Sequence, residues 1–134
     1  MAYARALEPP YFAFYNLRTF EPITDLEAIA SCPVLFAQAV RLSGVEKAWQ
    51  PIGHRPLAGA VAEPIVRYTQ DLADYRACVI FDSLGNEREA TPEECVGLEQ
   101  SAVWEAHGIE ERLLDTFEGR TNAEELRSRV RLGA

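Results

Sequence analysis

A switch in hydrophobic period about two-thirds of the way along the chain constrains its fold more than any other feature. Up to about residue 90 the apolar residues come in short β-prone runs broken by proline and glycine; beyond it they recur at helical spacing. Phe12-Ala13-Phe14-Tyr15-Asn16-Leu17 is aromatic-rich and predicts a strand. Thr24-Asp25-Leu26-Glu27 fits a capping box opening a short helix to about Ala30, stopped by Pro33. Val34 to Val40 is an apolar run that fits strand or helix equally, ended by Ser43-Gly44. Trp49 to Leu57 reads as an edge strand because it contains Pro51 and Pro56, with Trp49 and Ile52 inward near a bend at Gly53. Ile65 to Thr69 and Cys78 to Phe81 are further strands. Asp82 to Glu87 is a turn in which Gly85 or Asn86 supplies a positive φ, and Arg88 and Ala90 begin a short return strand.

Thr91-Pro92-Glu93-Glu94 then carries a helix-start signal, with Cys95, Leu98 and Ala102 at helical spacing after it. Ile109, Leu113, Leu114 and Phe117 form one apolar stripe before the stop at Gly119. Thr121-Asn122-Ala123-Glu124 caps a last helix bearing Leu126 and Val130. Strands followed by helices predict an α+β fold. Its antiparallel sheet, open or barrel-like, comes from the N-terminal two-thirds and packs with C-terminal α-helices. The 134 residues suit one domain, 1–134, strand-rich over about 3–90 and helical over about 91–131. A chain of this size buries roughly 68–70% of its unfolded surface, enough for a core without disulfides or metal.

Several function classes are disfavoured. The apolar runs, Val34-Leu35-Phe36-Ala37 among them, are far short of the roughly 20 residues of a membrane span. Met1-Ala2-Tyr3-Ala4-Arg5 lacks the basic-then-apolar order of a signal peptide, so a cytoplasmic location is expected. Cys32, Cys78 and Cys95 form no CxxC pair and read as buried free thiols. Phosphate-binding glycine loops, a GxSxG elbow and HExxH are absent, and two histidines, His54 and His107, cannot build a His-rich metal site. No cofactor, metal or catalytic residue is expected. The enzymatic alternative is a hydrolase using Asp71, Asp74 or His107; a small binding module for another protein or ligand is the other.

Charge points to a partner instead. Residues 1–60 hold five acids and five bases, whereas 61–125 hold sixteen acids against five bases, and Arg127, Arg129 and Arg131 come after them. Such an acidic excess attracts cationic partners and repels nucleic acid, and Lys47 is the sole lysine. The acids best placed to meet a partner are Asp71, Asp74, Asp82, Glu87 and Glu89, in the loop and hairpin of this region.

The segments Phe14-Tyr15, Cys32-Pro33-Val34-Leu35-Phe36, Trp49-Gln50-Pro51-Ile52-Gly53 and Pro56-Leu57 occur in an informative order. After them come Gln70-Asp71, Ala90-Thr91-Pro92-Glu93-Glu94-Cys95-Val96-Gly97-Leu98-Glu99, Ala102-Val103-Trp104, Glu110-Glu111-Arg112-Leu113 and Gly119-Arg120-Thr121-Asn122. In this the chain resembles the immunity protein 26 family of bacterial polymorphic toxin and contact-dependent inhibition systems, over about residues 3 to 126. One departure is that family members usually begin with a further strand or two ahead of the segment matched by Tyr3 to Leu7, which leaves an exposed strand edge expected here. The resemblance implies an inhibitor encoded beside a toxin, with no catalytic residues, that binds the cognate toxin's C-terminal domain. Many such toxins are nucleases, whose basic clefts an acidic surface would occlude. The oligomeric state stays open. Among the matched residues Phe36, Trp49 and Trp104 read as core anchors and Gly53 as a bend. Glu99 and Arg112 read as an ion pair tying helix to sheet, to be checked by the coupling energy of their Met variants.

Overall fold

The computed structural model describes residues 1–134, Ala60 by its backbone alone. The architecture is α+β: two four-stranded sheets and four helices, neither sheet closed into a barrel. By contacts the chain divides into two compact units, Met1–Glu63 with Val103–Asn122, and Pro64–Ala102 with Ala123–Ala134. Among the described residues no helix is long and apolar enough to cross a membrane.

The first unit is built on strands β1 (Ala2–Ala6), β2 (Tyr11–Arg18) and β3 (Val34–Val40), antiparallel and consecutive. The ambiguous Val34–Val40 run is thus a strand, because Phe12, Ala13 and Phe14 pair with Gln38, Ala37 and Phe36. Successive residues of β2 alternate between its two faces, which serve two clusters. On one, Phe14 is 1% exposed, with its ring 4.9 Å from Phe36 and 5.8 Å from Trp49. On the other, Tyr15 packs with Tyr3 and with Ile29 of helix α1 (Leu26–Ala30). The cap of α1 is Asp25, not the expected Thr24: its carboxylate accepts the Ala28 N–H at 3.1 Å.

The next two segments depart from expectation. Ser43-Gly44 does not end the apolar run; it sits inside a helix, α2 (Leu42–Ala48), where a Cβ on Gly44 would come within 3.4 Å of the Ala106 Cβ. Trp49 to Leu57 forms no strand, and Ile52 is 43% exposed rather than inward. The prolines withhold two ladder donors; the Arg5 guanidinium holds this stretch by donating to the Arg55 and Pro56 carbonyls at 3.1 and 2.6 Å. Gly53 does have a packing reason, since a Cβ there would lie 2.6 Å from Leu26 Cδ1.

The second unit holds β4 (Val66–Gln70), β5 (Cys78–Asp82) and β6 (Glu87–Ala90), an antiparallel meander. Tyr68, Cys78 and Cys95 form its core, with Leu98 and Val130 packed against them. Burial pushes the Tyr68 hydroxyl up to about 12 and the Cys95 thiol up to about 11. The Tyr68 O–H donates to the Ser128 carbonyl, and the Gln70 amide exchanges hydrogen bonds with the Arg131 backbone at 2.9 and 3.0 Å. The C-terminal segment is thereby sewn to β4.

The helix expected from Thr91 is a single 3-10 turn, Glu93–Cys95. Its capping box forms as read, Glu94 N–H to Thr91 Oγ1 at 3.4 Å and Thr91 N–H to Glu94 Oε1 at 3.1 Å. Gly97, at φ +85°, then turns the backbone away. Two short strands come next, each added in parallel to a sheet: β7 (Glu99–Gln100) beside β4, and β8 (Val103–Trp104) beside β3. The helical third therefore begins at Ala106. Helix α3 (Ala106–Phe117) buries Ile109, Arg112 and Leu113. Leu114 of the expected stripe is 44% exposed, and Gly119 ends the helix at φ +72°. The last helix is α4 (Ala123–Arg127).

Candidate partner-binding surface

All five acids singled out for partner contact lie in the second unit. Asp71 and Asp74 shape the loop between β4 and β5. The Asp71 carboxylate accepts the N–H groups of Ala73 and Asp74 at 2.7 and 2.9 Å, and the Asp74 carboxylate accepts that of Arg76 at 3.1 Å. The Asp74 and Ala73 N–H groups hold the Asp71 carboxyl below the usual range. Arg131 reaches the same loop, its guanidinium donating to the Asp71 carbonyl at 2.6 Å.

Asp82 is at the other end of β5 and organises the hairpin. It accepts the Leu84 and Asn86 N–H groups at 2.8 and 3.1 Å and the Asn86 amide at 3.0 Å, around Gly85 at φ +89°. Of the two expected candidates for a positive φ, the glycine takes it. The Asn86 side chain, foremost, lowers the Asp82 pKa from 3.8. A depressed carboxylate stabilises the fold above its unfolded pKa and loses that contribution as pH falls through the lower folded value. Asp82→Asn is therefore expected to melt below the parent at pH 7. The gap should close as the pH drops beneath about 3.8, in thermal melts taken across pH 2–7. An unchanged gap at pH 2 would mean that turn geometry, not charge, carries the effect.

Glu87 and Glu89 stand apart from the other three. They share one face of β6, across from Phe81 and Val79, and both are exposed. Among the described residues neither makes an ion pair. Between them Arg88 turns to the opposite face, paired with Glu94 at 2.6 Å. A cleft of about 580 Å³ opens at the end of this sheet, where Thr69, Val79 and Glu89 meet Asp71 and Arg76 of the loop. The fold brings Asp71 and Glu89 to one cleft and leaves Asp82 to the hairpin.

Of the residues expected to be structural, Phe36, Trp104 and Arg112 meet in the first unit. In the first unit the Arg112 guanidinium stacks 3.6 Å from the Phe36 ring centroid and 5.1 Å from that of Trp104. Trp104 is 3% exposed, and the Trp49 indole N–H donates to Glu110 at 2.9 Å. Glu99 lies on β7 of the second unit, Arg112 on α3 of the first. His107 is exposed on α3, and Asp71 and Asp74 belong to the second unit. Among the described residues no group of three or more His, Cys, Asp or Glu side chains is placed to hold a metal.

The acidic excess along the chain is not an imbalance between the units. The first holds eleven acids and seven bases, the second ten and six, so each is net −4. The even split arises mainly because residues 103–122, with five acids and two bases, belong to the first unit; the C-terminal segment, with Arg131 beside Asp71 and Arg129 paired with Glu125 at 2.9 Å, brings the second unit two acids and three bases.

A family model described as immunity protein 26 matches residues 1–79. The chain belongs to that family. The match takes in β1 through β4 and the start of β5, and the resembling motifs from Ala90 onward lie beyond it. Comparison with curated proteins and with solved structures returns no match. Membership of the immunity protein 26 family implies an immunity protein that binds a cognate toxin.

Proposed function

We propose that this immunity protein neutralises its toxin in the cytoplasm by covering a basic active cleft, that of a nuclease, with the acidic face of its second unit. The observation that carries the reading is the pair Glu87 and Glu89: exposed, on one face, and in no ion pair among the described residues. Carboxylates presented in this way stand in for phosphates and accelerate encounter with a basic surface. Asp71, at the mouth of the neighbouring cleft, extends the same face. Asp74 is the remaining loop acid, and Asp82 contributes by holding the hairpin in shape.

The test is co-expression with the toxin domain encoded beside this chain, scored by growth and then by size-exclusion chromatography at low and high salt. Rescue with a co-eluting complex that weakens in salt is expected. Rescue with no complex would point instead to an enzyme that reverses the damage, and absence of rescue would remove the proposal.

A further inference from the structure

The two sheets present four edges, and they are not equivalent. β7 and β8 are two residues long. β1 is broken by a register shift between Ala2 and Ala4, and irregularity of this kind protects an edge from foreign strands. β6 is four residues long, runs in unbroken register with β5, and ends its sheet.

The hydrogen bonds fix the phase of its ladder. Asp82 N–H donates to the Asn86 carbonyl at 2.9 Å, so in an antiparallel pair Asn86, Arg88 and Ala90 turn their main-chain groups toward β5. The N–H and C=O groups of Glu87 and Glu89 then point out of the sheet. Apart from a 3.5 Å approach of Arg88 Nη1 to the Glu89 carbonyl, no partner for them is found among the described residues. The open main-chain groups and the exposed carboxylates outside any ion pair thus belong to the same two residues.

We propose that β6 is the docking edge for a basic extended segment of the toxin, which adds to this sheet as a fifth strand. The inference rests on the toxin-binding reading and supplies its geometry. Main-chain hydrogen bonds form to Glu87 and Glu89, and Lys or Arg side chains at alternate positions of the incoming strand lie beside the two carboxylates, roughly 5 Å away across the pair. Charge selects the occupant. A second copy of this edge would set Glu against Glu, which disfavours pairing, whereas a basic strand is attracted. A strand running past Ala90 also meets the cleft where Asp71 and Glu89 converge, a seat for one further basic side chain.

Proline separates the backbone contribution from the charge. At Glu87 or Glu89 it removes an outward N–H and leaves the β5 ladder whole, a substitution that edge strands tolerate. The full chain would be titrated with a catalytically inactive form of the toxin domain encoded beside it, in parent, Glu89→Gln, Glu89→Pro and Glu87→Lys/Glu89→Lys forms. Folding of each variant would be checked by circular dichroism. Glu89→Pro is expected to bind about tenfold more weakly than Glu89→Gln, the worth of one main-chain hydrogen bond in a dry interface. The double lysine variant is expected to lose more and to lose its salt dependence. Hydrogen exchange on the parent needs no variant: the Glu87 and Glu89 amides should become protected when the toxin domain is added.

Equal affinity of the Pro and Gln forms, or amides that stay unprotected in a formed complex, overturns the edge proposal and leaves toxin binding standing. Protection of both amides in the isolated protein, with a dimer on sizing, assigns the edge to a second copy and also overturns it. A parent chain that does not bind the toxin domain defeats the functional reading itself.

Discussion

Phe14→Ala is expected to lower the unfolding free energy of the first unit by about 3–5 kcal/mol. Phe14 is 1% exposed at the middle of β2, and its ring meets Phe36 at 4.9 Å, Trp49 at 5.8 Å and Phe12 at 6.5 Å. Removing it withdraws the shared partner of three other rings, and aromatic neighbours on a pleated sheet relax poorly into such a void. The measurement is urea denaturation followed by tryptophan fluorescence, which reports this unit because both Trp49 and Trp104 lie in it. A loss under about 1.5 kcal/mol would show that Trp49 collapses into the space and that the cluster is soft.

Arg112→Ala is expected to cost about 2–3 kcal/mol by the same measurement, the scale of a desolvated cation–π contact together with its packed stem. Arg112 is 7% exposed, with its guanidinium carbon over the Phe36 ring at 3.6 Å and over that of Trp104 at 5.1 Å. Arg112→Lys is expected to recover little, because an ammonium cannot stack as a planar guanidinium does. If Lys restored full stability, the charge alone would be responsible and the stacking incidental.

Arg112 also shows where sequence reading reaches its limit. Its position three residues after Ile109 and one before Leu113 places it on the edge of the buried stripe, which is legible from helical spacing. That it settles over an aromatic ring of β3 is not, since nothing local relates α3 to Phe36. The candidate surface divides in the same way. The turn chemistry of Asp71 and Asp82 comes from Asp two residues before the N–H groups it captures. The side-by-side exposure of Glu87 and Glu89 comes from period two on a strand. The reach of Arg131 to Asp71 and the open edge of β6 depend on what the rest of the chain does.

Local signals also misled where they were strongest. Thr91-Pro92-Glu93-Glu94 closes its capping box, yet the helix stops after one turn. Pairing of Glu99 and Gln100 with β4, and of Val103 and Trp104 with β3, outweighs the helical propensity of the segment between. Trp49 to Leu57 has the residues of a strand, but its prolines leave it too few donors to join a ladder.

The sequence by itself determined the α+β class, the strands and turn from Val66 to Ala90, and helix α3 with its glycine stop. Each of these is written in hydrophobic period, capping or φ preference, which act within about ten residues. Only the tertiary structure decided that there are two sheets rather than one, that each ends on a short parallel strand, and that the charge divides evenly between two units. Those outcomes come from the pairing and burial of segments 32 to 64 residues apart, where free energy depends on which surfaces meet and no local pattern records the choice.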